Sequence, residues 1–189
     1  DLDNVTGIET ITLGDAATTV TTKDALVAGG ATLTVNGAAL TTAGSTLTWN
    51  GAAETDGKFN ITGGDFNDTI TGGALGDTIS GAGGNDSVTA GAGADSINGG
   101  ADDDTIVLDV NLTSADTIEG GTGNDTLTFT DSNGAGSDLD RVTNVEAIKL
   151  GAAVTVVKTV DGLVAEGATL VVDGGALSGS NSLTWDGSL

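Results

Sequence analysis

Residues 63–107 read GGDFNDTIT, GGALGDTIS, GAGGNDSVT, AGAGADSIN and GGADDDTIV, five blocks of nine with nothing left over. The sixth position of every block is Asp (Asp68, Asp77, Asp86, Asp95, Asp104), and the eighth is β-branched (Ile70, Ile79, Val88, Ile97, Ile106). Glycine and alanine crowd the first half. The phase then slips, because Asp104 to Asp116 spans twelve residues instead of nine. Three residues, about Leu108 to Val110, are inserted before NLTSADTIE and GGTGNDTLT resume the pattern through Asp116/Ile118 and Asp125/Leu127.

A nine-residue unit with one conserved-phase apolar position cannot bury that residue alone, so the blocks must stack and share a core, as solenoid repeats do. The triplets T-I-T and T-L-T are short, alternating and β-branched, which suits a half-buried strand. The six residues before each are turn, with glycine supplying backbone angles that side chains disfavour. Two blocks make one coil, so residues eighteen apart lie about 4.8 Å apart across a parallel ladder. Asp68, Asp86 and Asp104 form one column and Asp77 and Asp95 another. Stacked carboxylates repel, and the chain has few bases to neutralise them. A cation held by carboxylate and turn carbonyl oxygens resolves this, and an all-oxygen set of six to eight ligands favours calcium over magnesium.

The blocks resemble the G-G-x-G-x-D-x-U-x nonapeptide of the RTX (repeats-in-toxin) family, a calcium-binding repeat. The resemblance covers about 66 residues in seven copies. It implies a right-handed parallel β-roll with Ca2+ held between loops two repeats apart. It also implies carboxylate ligands from the pairs Asp68/Asp86, Asp86/Asp104 and Asp77/Asp95, with Asp116 and Asp125 continuing the series. Backbone carbonyls of Gly64, Phe66, Gly81 and Gly83 are implied at a first site, and of Gly73, Leu75, Ala90 and Ala92 at a second. The fourth position, glycine in the family, is Phe66, Leu75, Asp102 and Ser114 in four blocks, which predicts distorted or metal-poor loops there. NLTSADTIE also lacks both leading glycines.

Acidic residues outnumber basic ones 27 to 5, for a formal charge of −22, so nucleic acid and anionic lipid are repelled rather than bound. Such a charge with three Phe and two Trp ordinarily signals disorder. Here it sits at periodic metal positions, which predicts a chain disordered without calcium and folded with it. Proline, cysteine, methionine and histidine are absent. That excludes disulfide and thiol chemistry, and with no His, Cys or Tyr no catalytic group stands out, so the chain is read as not an enzyme. Weak calcium sites of the extracellular kind are filled only outside the cell, which places the protein in the medium or on a bacterial surface. No stretch resembles a signal peptide or membrane span, so no direct membrane insertion is expected.

The rest of the chain is a duplication. DLDNVTGIETITLG (Asp1–Gly14) returns as DLDRVTNVEAIKLG (Asp138–Gly151), an offset of 137, and the match continues to STLTWNG and SLTWDG, where Trp49 answers Trp185. This predicts a slice of a tandem array with a period of about 137. The expected division is a β-rich connecting module at 1–53, the RTX roll at 54–130, and a second copy of the module at 131–189. The all-β modules, with alternating pairs such as Leu33/Val35 and Leu47/Trp49, read as irregular β-solenoid continuous with the roll. Asp24–Ala28 reads as a single helical turn, Asp131–Asp140 as a loop, and Trp49 as core packing. In ETDGKFNIT (Glu54–Thr62), Phe59 replaces Asp, so its ring is expected to cover the end of the roll.

The leading reading is a calcium-stiffened segment of a large secreted protein, of surface-layer or adhesin type, whose neighbours are copies of itself; type I secretion is what the resemblance implies. The alternative is the calcium-binding accessory region of an RTX toxin or secreted hydrolase. Threonine ranks on an exposed sheet would mark a third, a face that binds ice or glycan.

Overall fold

The computed structural model of the chain describes Leu2 and residues 5–130, 139–152, 155–158, 162–164, 169–177 and 183–186. Its described residues form strands and turns only, so no helix is long and apolar enough to cross a membrane. One parallel sheet has seven strands: β1 (Thr10–Thr12), β3 (Thr32–Asn36), β5 (Lys58–Thr62), β7 (Thr78–Gly83), β9 (Ser96–Ala101), β11 (Thr117–Thr122) and β13 (Val142–Thr143). The facing parallel sheet has eight: β2 (Thr18–Thr21), β4 (Leu47–Asn50), β6 (Thr69–Thr71), β8 (Ser87–Thr89), β10 (Thr105–Asp109), β12 (Thr126–Phe129), β14 (Ala147–Leu150) and β16 (Val171–Asp173). A further parallel pair joins β15 (Thr155–Lys158) to β17 (Leu183–Asp186). Strands alternate strictly between the two large sheets, so the chain winds as a β-solenoid, with each coil hydrogen-bonded to the next.

Strand alternation fixes what lies between the sheets. In the roll the aliphatic residue of each triplet points inward and is buried: Ile70, Val88, Ile106 and Leu127 from one sheet, Ile79, Ile97 and Ile118 from the other. Its flanking Thr and Ser residues face outward, where Thr48, Thr69, Ser87, Thr105 and Thr126 stand in register. Each inward residue sits on its equivalent in the next coil (Ile61 on Ile79 on Ile97 on Ile118). This stacking supplies the core that one block lacks.

Coil length varies where the repeat breaks. Within the roll the register step is eighteen residues, as Ile70 opposite Val88 shows. The insertion raises it to twenty-one on both sheets, with Ile97 opposite Ile118 and Ile106 opposite Leu127. The extra residues extend β10 by the buried Leu108, pass through Asp109 at φ 47° and turn at Val110, which is 64% exposed. Connecting coils are longer still, twenty-four residues from Thr10 to Thr34 and twenty-nine from Thr18 to Leu47. They bury two residues per strand (Leu33 and Val35, Leu47 and Trp49, Phe59 and Ile61), making a thicker core.

Three expectations are adjusted. Asp24–Ala28 is not helical; a turn closed by Leu26 N donating to Lys23 O stands there. Phe59 does not cap the roll but lies inside β5 between β3 and β7, its ring edge-on to Trp49 at 5.4 Å and 81°. Trp49 is in the core, as read. The eighteen-residue coil gives way to longer coils outside the roll, so the 137-residue unit from β1 to its copy β14 holds thirteen strands among the described residues and advances about 31 Å, where eighteen residues per coil throughout would give about 35 Å. Thirteen is odd, so β1 lies in the seven-stranded sheet while its sequence copy β14 lies in the eight-stranded one. The proposed loop falls outside the described residues from 131 to 138, as do Val154 and the side chains of Leu183 and Trp185.

Core stacking makes a specific stability prediction. Ile79→Ala, which removes a methyl stack from between Ile61 and Ile97, should cost about 2–5 kcal/mol in calcium, while Val110→Ala should stay within about 0.5 kcal/mol. Denaturant titration of both variants measures this, and equal effects would contradict the stacked core.

Candidate metal centre

The loops that join the sheets carry the repeat Asp residues on two edges of the solenoid. Turns from the seven- to the eight-stranded sheet hold Asp68, Asp86, Asp104 and Asp125; turns in the other direction hold Asp77, Asp95 and Asp116. All seven are buried, at most 3% exposed. One carboxylate oxygen of each has a fixed task that sequence reasoning missed. Oδ1 of Asp86 accepts the backbone N–H of Asp68 at 2.7 Å, and Asp104 accepts that of Asp86, and Asp125 that of Asp104, both at 2.8 Å. Glu146 Oε2 ends this column on Asp125 N at 2.9 Å. On the other edge Asp95 accepts Asp77 N at 2.8 Å and Asp116 accepts Asp95 N at 2.7 Å. Below the roll the same bond reaches Leu47 N from Asp68 and Phe59 N from Asp77. Phe59 thus keeps the backbone part of an Asp position without the carboxylate.

The second oxygen divides the loops into two kinds. Asp68 Oδ2 accepts Gly64 N and Asp77 Oδ2 accepts Gly73 N, each at 2.7 Å, and Asp116 Oδ2 accepts Thr113 N at 2.7 Å. These three loops close on their own backbone. Oδ2 of Asp86, Asp95, Asp104 and Asp125 is buried with no hydrogen-bond partner. The backbone explains the split. In those four loops the second and fourth positions both have positive φ: Ala82 and Gly84, Gly91 and Gly93, Gly100 and Asp102, Gly121 and Gly123. Positive φ turns the second-position peptide so that its N–H no longer caps the Asp four residues on. Stacking leaves little room beside it, since a Cβ on Gly100 would meet Ala82 O. Phe66 and Leu75, at the fourth positions of the closed loops, are not among the positive-φ residues. Bulky side chains resist that conformation, whereas Asp102 accepts it at φ 76°.

The open loops present further oxygens. The position a Cβ would occupy on Gly81 is faced by both Asp86 Oδ2 and Gly99 O, and that on Gly99 by Asp104 Oδ2 and Gly120 O. On Gly120 it is faced by Asp125 Oδ2 and Asn144 O. The closed loops share this arrangement at Gly63 (Asp68 Oδ2 and Gly81 O) and Gly72 (Asp77 Oδ2 and Ala90 O). Only in the open loops is the carboxylate oxygen without a backbone donor, leaving carboxylate and carbonyl oxygens converging between successive coils as an all-oxygen set that fits Ca2+. Burial pushes these acids up, with help from their neighbours in the column. Asp86 rises to about 8, Asp95 to about 7 and Asp104 to about 6; Asp68, Asp77 and Asp125 are raised as well.

The structure brings Asp68, Asp86, Asp104 and Asp125 into one column and Asp77, Asp95 and Asp116 into the other, the three-residue insertion being absorbed within one coil. Among the carbonyls implied at the first two sites, Gly64 O accepts Gly83 N at 3.0 Å and Gly73 O accepts Ala92 N at 3.1 Å. Gly81 and Ala90 are buried, and Phe66 and Leu75 are half-buried. Both of those sites include a closed loop. The open loops 81–86, 99–104 and 120–125 follow one another on one edge, while 90–95 stands alone on the other. The expectation of a distorted loop at Asp102 is therefore corrected. A separate group, Asp24, Glu54 and Asp56, places three carboxylates within 4.8 Å in the connecting coils. Glu54 there is fully buried and accepts Val27 N and Gly57 N, which accounts for it as a structural cap.

The RTX calcium-binding nonapeptide repeat family, in four copies, matches residues 60–74, 72–106 and 112–128, leaving a gap where the insertion falls. No curated protein and no solved structure matches the chain.

Two predictions follow from the loop classes. Asp104→Asn replaces a partnerless Oδ2 by an amide and removes a buried charge, so it should stabilise the calcium-free fold yet raise the calcium midpoint about tenfold. Asp77→Asn sets an amide N–H against a backbone N–H, so it should destabilise by about 1–3 kcal/mol with or without calcium. Melting curves in calcium, and in chelator at pH 5 where protonated acids favour the calcium-free fold, separate the two, and identical behaviour would dissolve the distinction between loops. The raised acids also set a pH response. They bind protons more tightly folded than unfolded, so the calcium-free fold loses stability as pH rises from the ordinary 3.8 through about 6 to about 8. Chelated samples should hold more β-structure at pH 5 than at pH 8, and calcium should flatten the difference by taking the proton's place; a flat chelated profile would refute this.

With nonapeptide blocks, stacked Asp loops and partnerless buried oxygens in one solenoid, the chain carries a roll of RTX calcium-binding nonapeptide repeats over residues 60–128, and Ca2+ is the ion its loops expect.

Proposed function

We propose that the chain is a calcium-dependent structural segment of a large secreted bacterial repeat protein, of surface-layer or adhesin type, with no catalytic chemistry of its own. The observation that carries this reading is the set of four buried, partnerless carboxylate oxygens stacked between coils of a chain with only five basic residues. Without a divalent cation the columns oppose stacking. With one, each ion ties two coils and replaces repulsion by shared coordination. Folding is then coupled to the metal. In a cytosol poor in calcium the chain stays open and fit for export by a type I route; outside, it stiffens into a rod. The ions belong between loops 81–86, 99–104 and 120–125, with a further one at 90–95. Asp86, Asp104, Asp125 and Asp95 supply the carboxylates.

Calcium-binding rolls also serve as accessory regions of secreted toxins and hydrolases, the alternative reading. The 137-residue duplication supports the structural one: an accessory roll gains little from repetition, whereas a spacer lengthens with every copy. Units in series make neighbouring copies the natural partners.

The test is circular dichroism during calcium titration of a chelated sample at neutral pH. Coil should give way to β-structure over the submillimolar to millimolar range of extracellular modules. A β spectrum that persists in chelator would refute metal-coupled folding.

A further inference from the structure

The duplication shows one sequence in two surroundings. In the second copy, DLDRVTNVEAIKL forms β13 and β14, which lie against the last nonapeptide coil: β13 pairs with β11 (Ile118 opposite Val142) and β14 with β12 (Leu127 opposite Ile148, Phe129 opposite Leu150). Leu139, Val142, Val145 and Ile148 are all buried there, at 2% exposure or less. In the first copy, DLDNVTGIETITL has no such coil beside it. Its Leu2, Val5, Ile8 and Ile11 are only partly buried, and Val5–Thr6, the counterpart of β13, forms no strand. The local backbone is otherwise the same. Val5 N donates to Leu2 O as Val142 N does to Leu139 O, both at 3.0 Å. Gly7 has φ 64° where Asn144 has φ 51°. The onward pairing is the same too, β1 to β3 and β14 to β16, each by a step of twenty-four residues.

We propose that the apolar edge formed by Leu2, Val5, Ile8 and Ile11 is a docking surface for the last nonapeptide coil of another copy of this unit, the coil equivalent to Thr117–Phe129. The occupant is identified by what covers the same four positions 137 residues later. It adds β11- and β12-like strands beside Val5–Thr6 and β1, satisfies the open N–H and C=O groups of that edge, and removes its apolar side chains from water. The interface is heterologous, since edge meets coil and not itself, so it propagates along a line without closing. Because a unit holds thirteen strands, each docking exchanges the two sheets. Successive units are turned by half a revolution about the rod, and the edge bearing Asp86, Asp104 and Asp125 faces opposite sides in neighbouring units. This deepens the reading of the chain as a segment of a tandem rod and rests on that reading for the presence of a neighbouring unit.

The test uses the full chain lengthened by one unit, with residues 1–137 placed directly before Asp1 in one polypeptide, and reads hydrogen exchange in saturating calcium. Segment Val5–Leu13 of the downstream copy should exchange about tenfold or more slowly than in the 189-residue chain, approaching Val142–Leu150. Small-angle scattering should show the rod lengthened by about 31 Å. Introducing Ile11→Lys into the downstream copy should return that segment to fast exchange while leaving both rolls folded. Docking is overturned if Val5–Leu13 exchanges equally fast in both chains while Val142–Leu150 stays protected, or if Ile11→Lys leaves its protection intact. Protection at Val142–Leu150 reports folding of the roll separately, so a failed docking and a failed calcium dependence give different patterns.

Discussion

The solenoid depends on one repeated hydrogen bond, from the backbone N–H of Asp68, Asp77, Asp86, Asp95 and Asp104 to the carboxylate of the Asp one coil further on, with Glu146 taking that place above Asp125. It does for the loops what the parallel ladder does for the strands. Turn backbone has no ladder of its own, and a buried N–H without an acceptor is costly. A carboxylate is the strong acceptor that fits there. Using it draws every Asp inward and fixes the carboxylates at the coil spacing, so the structure sets its own electrostatic problem: seven buried acids in two columns. The raised pKa values of Asp86, Asp95 and Asp104 express that conflict, led by lost hydration and deepened by neighbouring carboxylates or acidic loop residues. Calcium resolves it through the oxygen that the loop bond leaves over.

That spare oxygen is not spare everywhere, and the reason lies in two residues per loop. Where the second and fourth positions adopt positive φ, the backbone opens and the carboxylate keeps a free oxygen; where Phe66 or Leu75 holds the fourth position, Gly64 or Gly73 turns its N–H onto its own Asp. A bulky fourth residue therefore replaces a metal contact by a backbone cap. The closed loops 63–68 and 72–77 lie where the roll meets the connecting coils, whose thicker apolar core supports them from below. Open loops 81–86 and 90–95 stand between strands that each bury one large aliphatic residue, where less apolar contact holds the coils together. Open loop 120–125 meets the second set of connecting coils through Glu146.

The nine-residue period made most of the roll legible: strands, inward residues, the two Asp columns and the eighteen-residue step all follow from it. The insertion at Leu108–Val110 was visible as a slip in phase, and the chain absorbs it because a solenoid coil can lengthen without disturbing its neighbours. Less could be read where the signal is three-dimensional. Whether Gly64 and Gly100 play the same part depends on φ, and their shared residue type hides the difference. Asp102 was misjudged because departure from glycine was equated with distortion, although Asp tolerates the left-handed region. Phe59 looked like a cap because coils of twenty-four to twenty-nine residues have no period to announce them. The Oδ1 bond escaped because an Asp column suggests a ligand before it suggests a rung.

The contrast between thin and thick coils bears on how the roll assembles. Strands β6 to β9 and β11 each bury one large aliphatic residue, whereas β3, β4 and β5 each bury two, among them Trp49 against Phe59. So do β10 and β12 at the far end of the roll (Ile106 and Leu108, Leu127 and Phe129). Apolar burial scales with those side chains, while the entropy lost in ordering a residue is about the same in either coil. Connecting coils thus hold a larger share of their stability in the core, and roll coils a larger share in the loops, where charge must be neutralised. In a solenoid, each coil is stabilised only by the coils beside it. A roll coil closing against β5, with Phe59 N already offered to Asp77, meets a formed surface and a waiting hydrogen bond. One built on another roll coil meets an acidic edge that calcium must first quench. Placing apolar coils on both sides of the roll gives each of its end coils an apolar surface to close against.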